Sequence, residues 1–162
     1  MSDIQKLLIG HGALVMWVGF VVGFGFAFFL LGRVELWPIP GSLDVQLPGT
    51  YDAWRMAHLE GVLNGAFLWI AALVLPLVPI GIVGTRRLAW AFIVTAWANA
   101  IASGLDPLFP DSRGLHFGGP LTNSLAYLLF VLGIIAIMSV TAVIAWRCLK
   151  PDANVVESAN SE

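Results

Sequence analysis

The chain has 162 residues, of which 59% are hydrophobic and only 11% charged, against about 25% charged in an average soluble domain. Its formal net charge of -2 offers no basic surface for a phosphate backbone, which sets nucleic-acid binding aside. A single cysteine, Cys148, excludes an internal disulfide.

Four apolar runs follow one another along the chain, each near the roughly 20 residues that cross a bilayer: Leu7 to Gly32, Trp54 to Ile80, Leu88 to Leu105 and Leu121 to Arg147. In hydrocarbon every backbone group must be satisfied internally, so these runs predict an all-α, integral membrane four-transmembrane-helix bundle over residues 1–150. The first run is too long for a signal-peptide core and has no small-x-small cleavage pattern, so it is expected to stay in the mature protein. Arg33 to Ala53, rich in Pro and Gly, Gly81 to Arg87, and Asp106 to Pro120 read as connectors. Residues 151–162 are polar and read as a disordered cytoplasmic tail. Lys6, Arg86, Arg87, Arg147 and Lys150 flank one side, against Arg33, Arg55 and Arg113 on the other. That bias puts both termini in the cytoplasm, and the expected setting is a bacterial inner membrane.

Polar side chains inside a membrane are expensive and invite a reason. The second run carries His58, Glu60 and Asn64 toward its outer end. The third brings Thr95, Asn99 and Ser103, which at i, i+4 spacing form one stripe, and the fourth brings Asn123 and Tyr127. Three helices thus carry polar groups to one expected level. Interhelical hydrogen bonding explains such residues taken singly; their convergence near a histidine points to a site.

Gly61, Gly65 and Trp69 lie within about 60° of His58 on the helical wheel. Two readings follow. In one, Gly61 and Gly65 are a GxxxG helix-packing pair and His58 is an interfacial hydrogen-bonding residue. In the other, the imidazole of His58 ligates the metal of a planar cofactor whose ring lies against Gly61 and Gly65, a surface that suits haem. His11 is expected most of a bilayer away from His58, and His116 falls on an outer connector, where it could serve as a second ligand. No cluster has zinc spacing, and no phosphate-binding or nucleophile-elbow motif is present.

At these residues the chain resembles the styrene oxide isomerase family. The likeness runs from about Gly10 to Arg147. It rests on Gly10-His11-Gly12, on Pro48-Gly49 leading to Trp54, Ala57-His58 and Leu63-Asn64-Gly65, and on Leu75-Pro76-Leu77. It continues through Arg86-Arg87-Leu88, Trp97-Ala98-Asn99, and Arg113-Gly114-Leu115 with Phe117-Gly118. The resemblance implies a four-helix protomer in a homotrimer, with haem b at subunit interfaces, His58 as the axial ligand and Asn64 on the substrate side. It also implies a Meinwald rearrangement of a small lipophilic epoxide to an aldehyde or ketone, with ferric iron as Lewis acid. Asn64 lies about 120° around the helix from His58 and roughly 9 Å deeper, so a haem shared between neighbouring subunits would let both face one ring.

The chain departs from the family at two positions. Members that act on styrene oxide carry an acidic residue and a tyrosine on the third helix, where this chain has Thr95 and Ser103. The expected catalytic set is Asn64, Thr95, Asn99 and Ser103, and the smaller residues imply a bulkier epoxide. Two other functions stay open on sequence: a b-type membrane cytochrome with two axial ligands, and a non-catalytic haem-binding membrane component.

Overall fold

The computed structural model describes residues 1–150; the expected tail, residues 151–162, lies outside the described residues. Four helices, α1 (Asp3–Leu31), α2 (Tyr51–Val74), α3 (Ile82–Leu108) and α4 (Leu121–Leu149), make an all-α bundle. Each is long and apolar enough to cross a membrane. Ser2 and Gln5 form a reciprocal capping box that starts α1, and Gly32 ends it in a left-handed turn. Thr50 caps α2, which tightens into a 3-10 turn at Leu75–Leu77 as Pro76 interrupts the helical ladder.

The helix bounds fall within a few residues of those expected, and two differences are larger. The third helix begins at Ile82 rather than Leu88, so Arg86 and Arg87 lie within its first turns. The first connector is not plain loop, because β1 (Arg33–Glu35) and β2 (Ser42–Asp44) pair antiparallel in a short hairpin. An exposed ion pair, Arg33 Nε to Asp44 Oδ1 at 3.7 Å, crosses its open end.

Helices α1 and α2 pack antiparallel through glycine. A Cβ on Gly65 would stand 2.6 Å from the Gly12 carbonyl oxygen, and one on Gly61 would overlap the Gly19 Cα. Reciprocally, a Cβ on Gly19 would meet the Val62 nitrogen at 2.7 Å. Small residues let two backbones approach where lipid offers no hydrophobic drive between helices. The expected flat wall for a planar cofactor is therefore corrected: Gly61 and Gly65 are buried under α1, and neither is open to a ring. Beyond the glycines, Leu8, Val15, Leu68, Leu75, Phe92 and Val140 close an apolar core on the side of the chain termini.

Asn123 is also placed otherwise than expected. It is 1% exposed and serves the connector that precedes α4. Its Oδ1 accepts from Gly114 N at 2.7 Å, and its Nδ2 donates to the carbonyls of His116 at 2.9 Å and Gly118 at 2.7 Å. Removing it leaves a buried donor and two carbonyls unpaired. Asn123→Ala is expected to destabilise the protein by about 2–3 kcal/mol, since each unsatisfied buried group costs about 1–3. Limited proteolysis should then cut between Asp111 and Leu121 faster than in the parent protein. Unchanged cleavage would mean that the connector does not depend on this side chain.

Candidate functional site

His58 leaves α2 toward α1. Its Nδ1 lies 2.9 Å from the Gly19 carbonyl oxygen, and the ring fits because residue 23 is glycine: a Cβ there would stand 2.8 Å from Nδ1. A carbonyl only accepts, so Nδ1 carries a proton, and the tautomer this selects has its lone pair on Nε2. Nε2 makes no hydrogen bond among the described residues, and no buried side-chain nitrogen or oxygen there lacks a partner; Nε2 therefore lies on accessible surface. An imidazole that donates one nitrogen to a backbone carbonyl and offers the other outward has the arrangement of a metal ligand.

The other histidines are engaged differently. His11 Nδ1 accepts from Trp97 Nε1 at 3.1 Å, with Trp90 edge-on to the same ring. His116 is an exposed connector residue whose carbonyl is held by Asn123.

On another side of α2, the amide of Asn64 joins α2 to α3. Asn64 Nδ2 donates to the Glu60 carboxylate Oε2 at 2.6 Å and to the Glu60 main-chain oxygen at 2.9 Å. Its Oδ1 faces Asn99 Nδ2 at 3.5 Å. The polar stripe of α3 is brought together only in part. Asn99 reaches α2, whereas Thr95 Oγ1 donates to the carbonyls of Ala91 and Gly133, at 3.0 and 3.3 Å. Ser103 Oγ donates to the carbonyl of Asn99 at 2.8 Å. Thr95 and Ser103 are both buried with their hydroxyls committed to main chain. Of the four expected catalytic residues, only Ser103 lines the cavity between the helices.

Between α2, α3 and α4, toward the hairpin end of the bundle, lies a cavity of about 440 Å³. Met56, Tyr127, Phe130, Val131 and Ile134 give it apolar and aromatic walls, and Ser103 and Glu60 also line it. Arg113 and Asp106 line it too, with Arg113 Nε 3.7 Å from Asp106 Oδ2. Phe117 meets the Tyr127 ring edge-on at 5.7 Å, which holds the phenol at the wall.

The sequence places Glu60 and Tyr127 among the polar groups that converge near His58, but neither was given a role in the site. For Glu60 the signal was present: it stands four residues before Asn64, the spacing at which side chains on a helix meet. Arg113 and Asp106 come together only through the turn after α3, which no spacing rule anticipates.

Comparison with known proteins bears on this geometry. The family model for styrene oxide isomerase matches residues 4–149, which takes in all four helices and both sides of the cavity. A styrene-oxide isomerase of Pseudomonas fluorescens is 30% identical over 154 residues, covering 90% of this chain and 89% of its own. With the match spanning His58, the Asn64–Asn99 pair and every helix that positions them, the chain belongs to the styrene oxide isomerase family.

Proposed function

We propose that this protein is a membrane-bound isomerase that opens a lipophilic epoxide to an aldehyde or ketone, with haem b ligated by Nε2 of His58 in a homotrimer. The observation that carries the proposal is the His58 ring, anchored through Nδ1 to Gly19 and open at Nε2. Family membership supplies the reaction class. Haem held by His58 would supply a Lewis acid for a Meinwald rearrangement, the isomerisation in which an epoxide C–O bond breaks, a hydride shifts to the carbon left positive, and a carbonyl forms without net redox change.

The chain's own residues hold and orient. Gly19 fixes the tautomer and the plane of the His58 ring, which keeps the Nε2 lone pair aimed in one direction. Asn64 spends both N–H groups on Glu60 and offers its oxygen to Asn99. Asn99 then keeps one N–H uncommitted among the described residues, and that is the donor left for a substrate oxygen as negative charge grows on it. His58 faces α1 while Asn64 faces α3. One protomer thus offers the ligand and the amides on different sides of α2, which favours a site completed by a neighbouring copy. The cavity beside Ser103 joins aromatic and aliphatic walls to the charged side chains of Asp52, Glu60, Asp106 and Arg113, and its volume of about 440 Å³ has room for an aryl or alicyclic epoxide larger than styrene oxide.

The test is a panel of such epoxides, incubated with the ferric haem-loaded protein without electron donor or nucleotide and analysed by gas chromatography. Aldehydes or ketones are expected, with less product after reduction of the protein, because ferrous iron is the weaker Lewis acid. No carbonyl product from any epoxide, with haem verified as ferric, removes the isomerase reading.

A further inference from the structure

Glu60 stands nine residues past Tyr51, the first residue of α2, about 14 Å along the helix axis. A carboxyl group at that depth of a spanning helix is costly and marks function by default. It belongs to no ion pair among the described residues. Its partner is the Asn64 amide, whose nitrogen lies 2.6 Å from Oε2.

That contact has a directional consequence. An amide side chain has two orientations that differ by exchange of its oxygen and nitrogen. With Glu60 in place only one fits, because the reverse would set the Asn64 oxygen against a carboxylate oxygen and its nitrogen against the Asn99 nitrogen, acceptor facing acceptor and donor facing donor. We propose that Glu60 is a positioning residue of the reaction: it locks the Asn64 amide so that Asn64 accepts from Asn99, and Asn99 keeps its second N–H for the substrate oxygen. Glu60 lines the cavity described above, yet its role runs through Asn64 rather than through contact with the reacting atoms. The inference rests on the isomerase reading, which names the reaction that the amides serve.

The experiment compares Glu60→Ala, Glu60→Gln, Asn64→Ala and the double variant Glu60→Ala/Asn64→Ala, each with haem content matched to the parent. Glu60→Ala is expected to lower kcat about tenfold with KM within about twofold, the pattern of an interaction made mainly in the transition state. Glu60→Gln, whose amide oxygen accepts the same bond, is expected to recover most of that loss. The double variant should be no slower than Asn64→Ala, since the two act as one unit. A second readout is independent of turnover. In protein labelled with 15N-asparagine and kept diamagnetic, ferrous and carbonyl-bound where haem is present, the Asn64 side-chain signal is identified by its loss in Asn64→Ala. It should lie downfield of the other asparagine amides and return toward them in Glu60→Ala. An unmoved signal, a Glu60→Ala variant with full kcat, or additive losses in the double variant overturn the inference. A parent protein that isomerises no epoxide, but whose Asn64 signal still moves in Glu60→Ala, removes the isomerase reading and retains Glu60's hold on the amide.

Discussion

Protein carrying His58→Ala is expected to purify without haem. The lost bond from Nε2 is the one protein contact to iron in the proposed site. Removing only an outer partner of a metal ligand typically costs 10–100-fold in affinity, and losing the ligand itself is expected to exceed that. His11→Ala, which breaks the bond from Trp97, and His116→Ala, which alters an exposed connector residue, should keep the cofactor. Absorbance of the Soret band per mole of protein decides among the three. A His58→Ala protein with full haem and an unaltered spectrum would overturn the ligand assignment and the function built on it.

The second large effect is expected at Gly61. Were this glycine on an open face, leucine would be tolerated, since the bilayer is itself apolar. Instead the position is closed by the Gly19 backbone, and backbone cannot turn aside as a flexible side chain can. Overpacking a well-packed interior costs about 1–3 kcal/mol; here Gly61→Leu is expected at or above the upper figure, with Gly61→Ala milder. The damage should reach the histidine as well, because Gly19 supplies the carbonyl that anchors it. Thermal unfolding in detergent and haem retention should therefore fall together. A Gly61→Leu protein as stable as the parent would mean that α1 and α2 are not in backbone contact there.

Much of the architecture could be read from hydropathy alone, because a span needs one long apolar stretch and each of the four helices has it. The family could be read as well, from motifs such as Ala57-His58, Leu63-Asn64-Gly65 and Trp97-Ala98-Asn99. What hydropathy hid was the start of α3, since Arg86 and Arg87 look like a connector although a helix can carry them in its first turns. The hairpin was hidden by its prolines and glycines. At the site, the helical wheel put Gly61, Gly65 and His58 on one side of α2, which the structure bears out. The wheel carries no information on what covers that side, and α1 proved to be the cover. Likewise the stripe of Thr95, Asn99 and Ser103 had the right azimuth, yet the hydroxyls of Thr95 and Ser103 turned back to main-chain carbonyls. A short side chain in a helix always has that local alternative.

The four helices are unequal in how far each depends on its neighbours. Helices α1 and α4 are the most apolar and are mostly exposed on the protomer, whereas α3 is more than half covered by the others, and α2 and α3 carry the amides, the histidine and Glu60. Partition from a translocation channel into lipid is judged helix by helix, with a penalty of about 2.5–3.5 kcal/mol for a charged residue at the centre of a span. Helices α1 and α4 satisfy that criterion alone. Helices α2 and α3 satisfy it best as a pair, joined by the short Val78–Gly81 segment and with Asn64 already facing Asn99. The polar residues that equip the site thus also make the two helices that carry them depend on each other within the membrane.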